Sequence, residues 1–169
     1  MISESNPAEA EKNIRTVKFG STIDIVVDSL WKECLSAYFH TPPMPTVALL
    51  VGGVCAEAAH RFYCKEKGAS APLLKGSWEE LIDYSTTQKL LPHPSIGKLL
   101  NLIRKDYRNP WIHLDLDKIT KKLPSTGMNK DLSALIFSPQ LALNCLWLTS
   151  VELSAFYGSS PPLFEPAIM

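Results

Sequence analysis

The chain has 169 residues, with 17 basic and 17 acidic side chains and 46% apolar content. That length fits one domain able to bury a core, which excludes a disordered tail. A formal net charge of zero also excludes a global positive field that would steer a nucleic acid from a distance.

Residues 1–18 read as a flexible N-terminal segment. The stretch Met1 to Asn13 is polar and acidic without an apolar core, unlike a secretory signal or a membrane anchor, so a cytoplasmic chain is expected. Ser21 to His40 follows as the first helix, with Ile23, Val26, Val27, Leu30, Trp31, Cys34, Leu35 and Tyr38 at helical spacing and Thr41-Pro42-Pro43 as its stop. The second helix, about Pro45 to Lys67, is apolar around its circumference at its start and ends with Lys65 and Lys67 before Gly68. Such a helix belongs in the centre of a bundle. Ser77 as cap with Glu80 as its capping-box partner opens a short helix ending near Leu91-Pro92. Ser95 to about Tyr107 forms the next, with Ile96, Leu99, Leu100 and Ile103 as its stripe. Beyond a loop around Lys121 to Gly127, the final helix has Ser138 as cap, Pro139 first and Gly158 just past its end. Asn144, Thr149, Ser150, Glu152 and Ser154 interrupt that helix, so it suits a buried core or a subunit interface better than a lipid bilayer. Residues 159–169, with three prolines, form an extended tail. Hence an all-α chain is expected, an up-and-down bundle of four to six helices over residues 19–158. The cysteines at 34, 55, 64 and 145 show no paired or metal-finger spacing, and reduced, buried thiols are expected.

The most pointed feature is Arg108-Asn109-Pro110-Trp111-Ile112-His113. A residue before proline is pushed out of the helical region, proline favours the first helical position and asparagine is a strong cap. This predicts Asn109 as an N-cap, which puts Arg108 and His113 at the two positions that meet in a hydrophobic staple. Arginine and imidazole would then converge over the unpaired amides of a helix N-terminus, where an anion is favoured. Upstream, Glu57 lies within an apolar helix and needs a partner if buried; it either pairs with Arg108 or another motif residue, or lies on the exposed stripe. His60 and Cys64 are four apart on the same helix, but two ligands alone make a poor metal site, and no metal or cofactor is expected.

The arginine, the polar residue directly after it and the histidine five positions on resemble the RxxxxH signature of HEPN domains, all-helical proteins many of which are metal-independent ribonucleases. The apolar helix from Val47 to Phe62 with Glu57 in its middle resembles the helix that precedes the motif in many of them. The resemblance covers about Ser21 to Lys122. It implies cleavage of RNA by its own 2′-hydroxyl, with His113 moving the proton and Arg108 holding the scissile phosphate and its growing charge. Imidazole titrates near neutrality, and a guanidinium is a permanently charged fork that can bind two phosphate oxygens. Asn109 and Glu57 are supporting residues in this reading, Asn109 either orienting the phosphate or His113 or serving as the cap alone.

The resemblance further implies a homodimer with one composite cleft, a toxin or antiviral defence setting, and a protein partner such as an antitoxin. In family members silenced by a nucleotidyltransferase, a tyrosine stands two places after the histidine. Here that place is Asp115, which weakens that form of control and adds negative charge where RNA would pass. Between Lys98 and Lys122 seven basic residues stand against three acidic ones, a local excess that points to Arg104, Lys105 and Lys118 as RNA contacts. Tyr107 and Trp111 either stack bases or pack beside the helix. The alternative is a catalytically inactive module for dimerisation or for binding a nucleotide or RNA, in which Arg108 and His113 only hold a dimer or a ligand.

Overall fold

The computed structural model describes residues 7–20, 22–113 and 139–158, and among them every regular element is helical. In chain order these are α1 (Pro7–Thr16), α2 (Ile25–Tyr38), α3 (Pro45–Glu66), α4 (Ala71–Lys75), α5 (Trp78–Thr87) and α6 (Pro94–Leu102), a π-helical segment (Ile103–Arg108), then α7 (Asn109–Ile112) and α8 (Pro139–Tyr157). The all-α class expected from periodicity is the class observed. The expected cap at Ser138, the loop after the motif and the tail 159–169 lie outside the described residues.

Local chemistry explains most of the boundaries. Asp24 caps α2 by accepting from the Val26 amide at 2.8 Å, and the capping box of α5 is complete, with the Glu80 amide donating to Ser77 Oγ and the Ser77 amide donating to Glu80 Oε2. Such caps stabilise a helix by about 1 kcal/mol. Gly68 takes φ +85° at the end of α3, a conformation that glycine adopts without strain.

α3 is the central element, packed against α2, α8 and the π-segment. Two adjacent glycines permit this. A Cβ at Gly52 would lie 3.1 Å from Leu146 Cδ2 on α8, and one at Gly53 would lie 3.1 Å from Arg108 Cβ on the π-segment. Among the described residues α3 is also the one helix long and apolar enough to cross a membrane by length and composition. Here its apolar residues feed the core, and Glu57 and Arg61 pair on its surface.

Residues 7–16 correct the expected flexible leader. Ala10 and Ile14, four apart, form a narrow stripe that is buried in the main core, while the other positions stay polar and hide the signal in composition. Tyr38 donates its hydroxyl proton to Glu11 at 2.9 Å, and the Arg15 guanidinium lies 4.0 Å from the centre of the Phe39 ring.

All four cysteines are free and buried. Glu152 is more unusual, because it is fully buried in α8 and neither carboxyl oxygen has a hydrogen-bond partner. Burial pushes its pKa well above the usual carboxylate value, since a charge there would be unsolvated. The unfolded chain ionises this group above about 4.5, while the folded chain keeps the proton. Its contribution to stability is therefore full below that pH and falls as pH rises towards the folded pKa. Glu152→Leu is expected to stabilise the fold at neutral pH by about 1–3 kcal/mol, with a gain that grows from pH 5 to pH 8 in thermal denaturation. A gain independent of pH would show that the carboxyl is not held protonated.

Candidate functional site

The chain is already helical before Asn109, the first residue of α7, so Asn109 is not an N-cap. Asn109 is helical, with φ −63° and ψ −43°, and its amide donates to the Arg104 carbonyl five residues back. Proline inside an α-helix would meet the carbonyl four residues before it and has no N–H to give. The widened π-segment immediately before Pro110 accommodates the ring, so the chain runs from α6 into α7 without a break. The expected N-cap and its bare amides are thus absent at this place, and Asn109 Oδ1 instead accepts from Arg108 Nη1 at 3.2 Å.

Arg108, Asn109 and His113 nevertheless share one cleft of about 360 Å³, lined also by Glu57, Arg61, Ser77, Trp78, Glu79 and Arg104. Arg108 Nη2 pairs with Glu57 Oε2, and the Glu57 Oε1 atom accepts from Arg61 at 2.6 Å. One carboxylate therefore serves two guanidiniums. Arg61 is fixed further by donating to the carbonyls of Leu74 and Gly76, which fastens the turn between α4 and α5 to α3. Glu57 retains only 15% of its side-chain exposure, so removing the carboxylate would leave two poorly solvated guanidiniums without a counter-charge.

Trp78 forms part of the cleft wall, and the Arg108 guanidinium lies 5.6 Å from the centre of its ring. The indole is positioned from behind. Its N–H donates to His60 Nδ1 at 3.1 Å, which leaves the His60 proton on Nε2 to donate to Ser85 Oγ at 2.9 Å, and Ser85 in turn donates to the Ile82 carbonyl. Burial, with the charge of Arg61 added, pushes the His60 pKa down to about 3, so this imidazole is a neutral spacer. With both ring nitrogens engaged, it is not poised to join Cys64 on a metal.

The remaining expected residues separate. Arg104 lines the cleft and holds Glu79 through two contacts of 2.7 and 3.2 Å. Lys105 is exposed on the π-segment. Tyr107 is a correction: its ring belongs to the buried core, on the side of the π-segment away from solvent, and is not available to stack on a base. Trp111 is half-buried against the same core. Lys118 and Asp115 lie outside the described residues. Arg61, Trp78, Glu79 and His60 were not singled out as site residues from sequence, although the four-residue spacing of Glu57 and Arg61 marks an ion pair on one helix face.

Taken together, three arginines and two glutamates line the cleft beside an exposed His113. The arrangement offers an excess cation, a proton carrier and an open mouth, which suits an anionic ligand. No family model, curated protein or solved structure matches the chain.

The placement of Arg108 depends on Gly53. Alanine at either glycine gains about 1 kcal/mol of helix propensity. At Gly52 the new methyl meets the flexible end of Leu146, whereas at Gly53 it meets the Cβ and Cγ of Arg108 close to the backbone. Gly53→Ala is expected to lose about 1–3 kcal/mol to overpacking and to be the less stable variant in urea denaturation; the reverse order would show that the π-segment yields freely.

Proposed function

We propose that this chain is a HEPN-type endoribonuclease that cleaves RNA through attack of the 2′-hydroxyl. The observation that carries the reading is that Arg108 and His113 line the same cleft, with the guanidinium anchored by Glu57 and laid over Trp78. The triad of Arg61, Glu57 and Arg108 keeps one positive charge in excess, which supports binding of a phosphodiester.

In the proposed reaction His113 accepts the proton of the 2′-hydroxyl as the 2′-oxygen attacks phosphorus. The bond from phosphorus to the 5′-oxygen breaks, and the leaving oxygen takes up a proton from a second acid. Arg108 stabilises the charge that builds on the non-bridging oxygens. The products are a 2′,3′-cyclic phosphate and a 5′-hydroxyl. This route needs an acid, a base and a fixed cation. In a homodimer, the arrangement implied by the resemblance, the second histidine supplies the second proton transfer.

A second reading is favoured by one observation. The Nη atoms of Arg108 already have partners in Glu57 and Asn109, as they would in a structural ion pair, and this supports a non-catalytic module that binds a nucleotide or RNA.

Purified protein incubated with single-stranded RNA in the presence of a chelator separates the two. The nuclease reading expects fragments ending in cyclic phosphate, with the rate reduced at least about 100-fold in His113→Ala and in Arg108→Ala. Absent cleavage, or equal cleavage by His113→Ala, would refute it.

A further inference from the structure

The three arginines of the cleft are not equivalent. Arg61 is saturated by Glu57 and two backbone carbonyls, and Arg108 is held by Glu57, whose side chain is only 15% exposed. Arg104 differs in its partner. Its own side chain is 8% exposed and cannot move far, but the Glu79 carboxylate that it grips is 55% exposed, on the first turn of α5 at the rim of the cleft. A buried cation thus faces an anion that is largely in water. In Arg104 as in Arg108 the Nε–H is buried without an acceptor, so a ligand would meet either guanidinium through its Nη groups.

We propose that Arg104 is a second phosphate-binding residue of the cleft and that Glu79 is a built-in competitor which occupies it until a single strand of RNA displaces it. The inference rests on reading the cleft as a phosphodiester site. The two non-bridging oxygens of a phosphodiester present the same paired acceptors as a carboxylate and fit the same guanidinium fork. On release Glu79 returns to water and the phosphate replaces it as the counter-charge of the buried guanidinium, so exchange of Glu79 for a phosphate is inexpensive, whereas Glu57 is itself largely buried and also holds Arg61. Arg104 and Arg108 lie four residues apart in the π-segment and line the same cleft. A flexible single strand can set neighbouring phosphates on such a pair. Arg108 then takes the scissile phosphate beside His113, and Arg104 fixes the register of the strand.

The test uses the whole chain and a deoxyribonucleotide oligomer, which lacks the 2′-hydroxyl and so binds without being cut. Its affinity is followed by fluorescence anisotropy at several salt concentrations for wild type, Glu79→Gln, Arg108→Gln and the double variant Glu79→Gln/Arg104→Gln, with circular dichroism to check folding. Glu79→Gln is expected to bind about two- to five-fold more tightly, because the competitor removed is a carboxylate that is itself mostly solvated. Its affinity should also fall more steeply with salt, by about 0.7 in the logarithmic slope, the contribution of one further phosphate contact on a single strand. The double variant should lose both gains; if it does not fold, Glu79→Gln alone decides. Unchanged or weaker binding by Glu79→Gln, while Arg108→Gln still weakens the complex, would overturn the second subsite and leave the reading of Arg108 intact. Binding by no variant, or binding indifferent to Arg108→Gln, would overturn both.

Discussion

The carboxylate of Glu57 stands between the guanidiniums of Arg61 and Arg108 on the wall of the central helix, and three parts of the molecule meet through it. Arg61 carries the connection to the turn at Leu74 and Gly76, and Arg108 carries it to the π-segment. All three side chains are at least three-quarters buried, so loss of the shared carboxylate would leave two guanidiniums without a counter-charge, at a cost of about 3–5 kcal/mol. The pairing therefore does two things at once. It holds α5 and the motif helix at fixed positions on α3, and it selects the rotamer of the arginine beside His113.

That electrostatic clamp acts only because sterics allow the helices to meet. Gly52 and Gly53 remove the Cβ on two sides of α3 at the same level, so α8 and the π-segment approach the same turn of the helix. The π-segment has its own cause in Pro110, which a regular α-helix would reject. Trp78 completes the arrangement from the other side, held by a hydrogen-bonded row through His60 and Ser85 into the core. The wall behind Arg108 is consequently fixed from behind, and the most exposed member of the cleft's ion pairs is the carboxylate of Glu79 at its rim.

Much of the framework was legible from local pattern. The periodicity of α2, the apolar length of α3 and the capping box of α5 are written in residues close together in the chain, and those elements form within a few residues of where they were expected. The failures have specific causes. α1 was missed because its buried stripe is only Ala10 and Ile14 among polar residues, and its stability comes from the core that covers it. Asn109 was misread because the preference of a residue before proline is a local rule, and here a widened turn overrides it. The cleft was half legible: Arg108, His113 and Glu57 stood out, and Arg61 lies four residues from Glu57 on α3, but Trp78 and Glu79 reach them from α5. Tertiary proximity of that kind leaves little mark in a single sequence. Glu152 was visible as the only charge of its helix, yet nothing in the chain announced that both its oxygens would be left without partners.

The π-segment also fixes the phase of everything that follows it. A π-turn amounts to one residue added to an α-helical path, and one residue of α-helix corresponds to a rotation of about 100°. Arg104 and Arg108 lie within the widened stretch, and His113 lies beyond it. Winding the same number of residues as ordinary α-helix would turn His113 by roughly a quarter of a turn relative to α6. The extra residue up to Arg108 and the direction that His113 takes beyond it are therefore a single geometric commitment, while the interval from Arg108 to His113 is itself ordinary α-helix, with the His113 amide donating to the Asn109 carbonyl.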